Sequence, residues 1–212
     1  MKFDNTVFDS IDTEEKAYWL GFLYADGSIS SSVNTVELSL KGEDFNHLVK
    51  FKTFLKSSAE VKRSTIKLKG KSFVRCRFQV TDKHFHNQLV KLGCIPKKSL
   101  VLKFPNEEIF SDISLVYAFI RGYLDGDGSV SFTSTGRLAL EILGTAEFLT
   151  AICQYLPQFG KHLIKDKRHK SNTYSIACSA NKADEVARVL YKDANIYLER
   201  KYNRLAVLCR NT

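Results

Sequence analysis

Apolar and polar residues along this chain keep two rhythms, and the rhythms return in the same order. From Ala17 to Ala25 the residues are almost continuously apolar, enough for a helix turn or more and about half of what a bilayer span requires. Asp12-Thr-Glu-Glu15 ahead of it resembles a capping box, with Asp12 as N-cap and Glu15 at N3. The helix is therefore expected to begin near Thr13 and to stop at Gly27. Period two then predicts a strand pair, Ser28 to Ser31 and Thr35 to Lys41. A helical pattern from Glu43 to Lys56, a second strand pair (Val61 to Lys69, Ser72 to Thr81) and a helix from Asp82 to Leu92 follow. After a second apolar helix the order repeats. Strands are expected at Ser129 to Thr133 and Arg137 to Leu143, then a helix from Ala146 to Phe159, strands at Lys161 to His169 and Thr173 to Ser179, and a helix from Lys182 to Tyr191.

The repeat is visible in letters as well as in pattern. Tyr18-Trp-Leu-Gly21-Phe-Leu-Tyr-Ala25-Asp26-Gly27-Ser28 returns as Phe119-Ile-Arg-Gly122-Tyr-Leu-Asp-Gly126-Asp127-Gly128-Ser129. The expected fold class is therefore α+β, with two pseudo-symmetric αββαββα halves, residues 1–100 and 113–212, each carrying an antiparallel sheet. The connecting segment 101–112 is short for a linker between freely moving domains, so the halves should share an interface.

Alternation also assigns faces. In the strand from Ser72 to Thr81, Val74, Cys76, Phe78 and Val80 fall on one side and Phe73, Arg75, Arg77, Gln79 and Thr81 on the other. In the preceding strand Ile66 and Leu68 alternate with Arg63, Thr65, Lys67 and Lys69. One sheet face should be apolar and packed on helices, its reverse basic and polar. Arginine, lysine and glutamine on a twisted two-stranded ribbon suit the DNA major groove, where they reach base edges and phosphates. A merely solvated strand face is the alternative.

Charge strengthens that reading. Lys and Arg number 32 against 23 Asp and Glu, a formal net charge of +9 with a pI near 9.3, which points to a polyanionic partner. At 44% hydrophobic and 12% aromatic the chain is too apolar for a disordered polybasic tail. Its basic residues do not gather on one amphipathic helix, which favours nucleic acid over an anionic membrane. The first residues are acidic (Asp4, Asp9, Asp12, Glu14, Glu15) where a secretory signal is basic and then apolar, so an intracellular, soluble protein without a membrane partner is expected. Cys76, Cys94, Cys153, Cys178 and Cys209 are scattered singly and read as reduced core residues, and His84-Phe85-His86 has no convincing metal-ligand spacing. No phosphate loop, dinucleotide fingerprint or Ser-His-Asp arrangement supports a metabolic enzyme.

The two motif helices carry small residues every four positions, Ala17, Gly21 and Ala25 in one and Ala118, Gly122 and Gly126 in the other. Such stripes let two backbones approach closely, which offsets the helix propensity that the glycines cost, up to about 1 kcal/mol each. Asp26 and Asp127 lie one residue beyond, at helix C-termini where a carboxylate is electrostatically disfavoured. Asp-Gly is also a common helix stop, and one copy alone would mean no more than that. Two copies at equivalent ends of packed helices repel, and a divalent cation relieves the repulsion. Magnesium is expected on Asp26 and Asp127, with the carbonyls of Ala25 and Gly126 as further hard oxygen ligands and other divalent cations able to substitute.

Trp19 to Gly27 and Ile120 to Gly128 resemble the nine-residue signature of the LAGLIDADG homing endonucleases, and the likeness extends through the αββαββα order over nearly the whole chain. Two copies in one chain look like the monomeric, pseudo-symmetric members. Tyr24 stands where the motif has its first aspartate, while Asp125 keeps it; that position is not the family's metal ligand. The resemblance implies a site-specific, metal-dependent DNA endonuclease that hydrolyses both strands of a long, partly asymmetric duplex target and leaves short 3′ overhangs. It also implies a lysine near the metals in each half, and by position these are Lys98 and Lys201. The two sheets would form a saddle over the major groove. Its outward residues would be Glu37, Lys41, Arg63, Lys67, Lys69, Arg75, Arg77 and Gln79 in the first half, and Arg137, Glu141, Lys165, Lys167, Ser175 and Ser179 in the second. A catalytically silent DNA-binding protein and an RNA maturase of the same fold are the alternatives. A regulator with an added helix-turn-helix is disfavoured by the little chain that follows Tyr191, and an intein by the absence of splicing residues at the ends.

Overall fold

A computed structural model describes residues 2–30, 32–68, 70–95, 101–165 and 173–209. The first copy of the repeat comprises α1 (Glu14–Asp26), β1 (Gly27–Ser30), β2 (Thr35–Lys41), α2 (Phe45–Phe54), β3 (Lys62–Leu68), β4 (Lys71–Thr81) and α3 (Lys83–Lys91). The second comprises α4 (Ile113–Asp127), β5 (Gly128–Phe132), β6 (Leu138–Gly144), α5 (Ala146–Tyr155), β7 (Ile164–Lys165), β8 (Tyr174–Ser179) and α6 (Asn181–Tyr191). The α+β class and the doubled αββαββα order are as the sequence pattern predicts. A further helix, α7 (Glu199–Cys209), is an addition to that pattern.

Local chemistry explains where the elements begin and stop. Thr13, not Asp12, caps α1: its side chain accepts from the Lys16 N–H at 3.3 Å, while Asp12 pairs with the Lys16 ammonium at 2.8 Å. The cap is thus displaced by one residue, and because Lys16 then stands at N3 the expected box is replaced by a single side-chain cap. Asp82, Asp112 and Thr145 cap α3, α4 and α5 in the same way. The pattern from Ala146 to Phe159 splits, because Pro157 has no N–H to extend α5 and opens a 3-10 turn, Pro157–Phe159. Another 3-10 turn, Gly42–Asp44, replaces the first residues of the pattern that leads into α2.

Each copy builds one four-stranded antiparallel sheet, in the orders β1-β2-β4-β3 and β5-β6-β8-β7. Inner faces are apolar. Val36, Leu38 and Leu40 of β2 with Cys76, Phe78 and Val80 of β4 are buried, as are Leu138, Leu140 and Ile142 of β6 with Ile176 and Cys178 of β8. Leu48 and Phe51 of α2, Phe85 and Leu89 of α3, Phe148 and Ile152 of α5, and Val186 and Leu190 of α6 join the same core, each burial worth about 1.5–3 kcal/mol. One core runs through both copies. Among the described residues no helix is long and apolar enough to cross a membrane.

Register corrects one expectation about the faces. Residues directly opposed across an antiparallel pair point to the same side, and Arg63 opposes Cys76, Thr65 opposes Val74 and Lys67 opposes Ser72. Arg63 and Lys67 therefore share the face of Cys76, and Arg63 lies over the Phe45 ring at 3.8 Å from its centroid. Lys62, Ser64 and Ile66 take the outward side instead, opposite Arg77, Arg75 and Phe73. The physical reason is that neither face of this end of the ribbon is covered: Ile66, Phe73 and Val74 are 41%, 47% and 53% exposed. Where both faces are solvated, apolar residues do not specify a side. In the second sheet Ile164 opposes Ser175 and Lys165 opposes Tyr174, which turns Lys165 away from the outer face as well. Lys69 and Lys167 lie outside the described residues.

Candidate functional site

The small-residue stripes bring α1 and α4 together. A Cβ on Gly21 would sit 1.9 Å from the Phe119 carbonyl oxygen, and one on Gly122 would sit 2.0 Å from that of Tyr18. The glycines thus face backbone, not side chains, at a mutual crossing. Nearer the C-termini a Cβ on Gly126 would meet the Ala25 methyl at 2.2 Å and Asp26 Oδ2 at 3.4 Å. The Asp26 carboxylate therefore lies beside the last turn of the facing helix.

Both helices then stop on a glycine that leads directly into a strand. Gly27 and Gly128 donate their N–H groups to the carbonyls of Leu23 and Leu124. Neither has positive φ; glycine is required because a Cβ would lie 2.4 Å from the same carbonyl oxygen in each case. Tyr123, one turn before Asp127, donates its hydroxyl to the Leu143 carbonyl at 2.9 Å. Burial pushes its phenol well above the usual range, and the neighbouring Asp127 and then Asp26 add to the effect. Both carboxylates accordingly surround one short stretch of α4.

Lys201, on the first turn of α7, is a buried cation beside the end of α4. Its Nζ donates to the carbonyls of Leu124, Gly126 and Gly128 at 2.7, 3.3 and 2.6 Å and so closes the C-terminus of α4. Burial lowers its ammonium to about 8, and Asp125, Asp26 and Asp127 oppose that shift. The lysine paired with it by sequence, Lys98, lies outside the described residues.

Asp125 supports α7 from below. Its buried carboxylate accepts from Tyr18 Oη at 2.8 Å, Tyr191 Oη at 2.7 Å and the Leu198 N–H at 2.7 Å. Burial raises its pKa despite those three donors and Lys201. Because Tyr18 donates to Asp125, its oxygen accepts from His47 Nε2 at 3.1 Å, which assigns the Nε2–H tautomer to His47. Burial, with Lys50 adding to it, lowers the His47 imidazole to about 3. Further anchors hold α7 to the first copy: Arg200 reaches Asp44 through Nε at 3.1 Å and Nη2 at 3.0 Å, and Glu199 pairs with Lys50. Behind them Arg121, also buried, spans Glu14, Leu190 and Ile196. Sequence reasoning passes over Asp125, Tyr18, His47 and Tyr191; the one signal was that Asp125 keeps a motif letter that Tyr24 does not. In the first copy the Tyr24 hydroxyl fills that space by donating to the Leu92 carbonyl, against Gly93, which has φ +95.

Outer sheet faces carry most of the remaining candidates. Register aligns Glu37 with Gln79, Ser39 with Arg77 and Lys41 with Arg75 on one solvent-facing surface. The second sheet sets Glu141 opposite Ala177 and Leu143 opposite Ser175, with Ser179 opposite Ala139; Ser175, expected to face outward, is buried and so is not part of the solvent-facing surface. Arg137, just before β6, donates to Asn181. The described outer face of the first sheet is thus cationic and that of the second small and nearly neutral.

Solved structures share this fold. The homing endonuclease I-WcaI bound to its DNA recognition sequence superposes with a TM-score of 0.63 at 14% identity, over 92% of this chain and 87% of that one. For the meganuclease I-SmaMI bound to uncleavable DNA the values are 0.60 and 13%, over 93% and 90%. For the LAGLIDADG homing endonuclease I-LtrWI bound to target DNA they are 0.57 and 10%, over 92% and 90%. No protein-family model and no curated protein matches the sequence. The fold is that of the LAGLIDADG homing endonucleases.

Proposed function

We propose that this chain is a site-specific double-strand DNA endonuclease, acting as a monomer, that hydrolyses one phosphodiester on each strand of a long, partly asymmetric target and leaves short 3′ overhangs. Residues 1–100 and 113–212 form its two halves, joined by 101–112. The observation that carries the reading is the convergence of Asp26 and Asp127 at adjoining ends of two helices packed glycine to backbone. Proteins of the same fold bound to DNA support it.

Magnesium fits the residues present. Glycine at 126 lets the Ala25 methyl, and with it the Asp26 carboxylate, come up against the last turn of α4, so that the donors of both helix ends lie together. Asp26, Asp127 and the carbonyls of Ala25 and Gly126 are hard oxygen donors at helix ends. Among the described residues no cluster of three His, Cys, Asp or Glu side chains could hold a metal alone. That suits a cation bound by one or two carboxylates that completes its shell with water and substrate phosphate. Such an ion, when bound, makes a water nucleophilic near neutral pH and offsets charge on the phosphate.

The chain's own groups set the rest. Lys201 fixes the three terminal carbonyls of α4, and with them the direction of Asp127, while its charge faces both carboxylates. Lys98 serves the other half by correspondence. Duplex is held by the outer sheet faces, through Lys41, Arg75, Arg77 and Gln79, with Glu37 among them, in the first half and Arg137, Glu141 and Ser179 in the second.

Asp26→Asn, assayed on cognate duplex in magnesium, is expected to bind almost as the parent does and to make no double-strand break. Full cutting by that variant would remove Asp26 from the mechanism. A parent that binds its site and never cuts would instead support the silent DNA-binding or maturase reading.

A further inference from the structure

On the outer face of the first sheet one carboxylate holds two arginines. Glu37 Oε1 lies 3.5 Å from Arg75 Nη2, and Glu37 Oε2 lies 3.5 Å from Arg77 Nη1. Arg75 Nε also donates to Ser39. Glu37 is the more sheltered member, with 22% of its side chain exposed against 45% and 44% for the two arginines. A surface carboxylate that touches two guanidiniums neutralises half of their charge, which a plain phosphate clamp has no reason to do. It restricts their rotamers while leaving on each guanidinium N–H groups that the ion pairs do not use, which bidentate readout of a base edge needs.

The strand fixes their spacing. Arg75 and Arg77 are two residues apart on β4, point to the same side, and are separated by about 6.7 Å along the strand. A duplex rises about 3.4 Å per base pair, so a ribbon lying along the major groove roots the two side chains about two base-pair steps apart, while Glu37 holds their guanidiniums on separate oxygens. Arginine pairs bidentately with guanine O6 and N7 more readily than with any other base edge.

Resting on the duplex-cleavage reading above, we propose that Arg75 and Arg77, held by Glu37, determine sequence specificity in the first half of the target by reading two guanines two base pairs apart. Glu37 is a positioning residue here and touches no base. Lys41 and Lys62, which face outward opposite Arg75 and Arg77 in register, remain for the flanking phosphates.

The test is a binding selection from a random duplex library with the full chain in calcium or magnesium, run beside Arg75→Ala, Arg77→Ala and Glu37→Gln. The parent motif is expected to contain two guanines at that spacing. Each arginine variant should lose preference at one of them alone, by roughly ten- to a hundredfold, and Glu37→Gln should relax both while the other positions stay sharp. If either arginine variant instead weakens binding evenly over all sequences and lowers the salt slope by about one, the arginines are phosphate contacts and the proposal falls. A selected motif without the paired guanines overturns it equally. A parent that enriches no duplex motif at all overturns the endonuclease reading together with this one.

Discussion

Tyr18 of α1 donates its hydroxyl to Asp125 of α4 across 2.8 Å, and this buried hydrogen bond joins the two copies of the repeat. The same oxygen accepts from His47, and the same carboxylate holds the Leu198 N–H at the start of α7. Tyr18→Phe leaves the His47 donor without an acceptor and takes one of three donors from Asp125. The expected loss is about 1–3 kcal/mol in urea unfolding, and Asp125→Ala, which strands all three donors, should lose more. Equal stability of both variants and the parent would mean that water replaces the network.

Gly21 and Gly122 occupy one crossing. An alanine at either gains helix propensity but must displace a carbonyl oxygen now about 2 Å from the new methyl. The predicted net cost is about 1–3 kcal/mol or more. Because both methyls push the same two helices apart, the double variant should cost less than the sum, which thermal unfolding of the single and double variants measures.

Acid should destabilise the fold through His47. Burial holds its folded pKa near 3, below the unfolded value of 6.5, so the unfolded chain binds the extra proton between those limits. Stability is complete above pH 6.5 and falls as the pH drops toward 3, by up to about 1.4 kcal/mol per pH unit from this residue. Asp125, whose pKa is raised, works in the opposite sense as it protonates. In His47→Gln, unfolding free energy between pH 6.5 and 4.5 should depend less on pH than in the parent. An unchanged slope would show that another group carries the dependence.

Lys201→Met should separate binding from cleavage. Its ammonium serves the end of α4 and both carboxylates, and among the described residues its hydrogen bonds go to backbone carbonyls, not to the outer-face side chains. Single-turnover cutting should fall by about 100-fold or more while duplex affinity changes little. A parallel drop in affinity would place Lys201 in DNA binding instead.

Much of this was legible in the chain because the signals were periodic or duplicated. Val74 to Val80 announced the core face of β4 from Cys76 onward, and the two Asp-Gly pairs announced the ends of α1 and α4. Where one face is not buried, pattern lost its meaning: Arg63 and Lys67 alternate correctly along β3, yet register turns them opposite to Arg75 and Arg77. Asp125 was legible as a letter and not as a role, since its three donors come from α1, α6 and the start of α7, which only folding assembles. The cap at Thr13 in place of Asp12 is a shift of one residue that ion pairing with Lys16 decides.

We propose that Asp26 and Asp127 serve cleavage of duplex DNA at one long site. The most direct measurement is selection from a large duplex library in magnesium, sequencing bound and cut molecules, with Asp26→Asn and Asp127→Asn beside the parent. Magnesium-dependent breaks within a single long motif, absent from both variants while the motif is still bound, are the expected result. Breaks that persist in either variant, or a bound motif that the parent never cuts, would contradict the account.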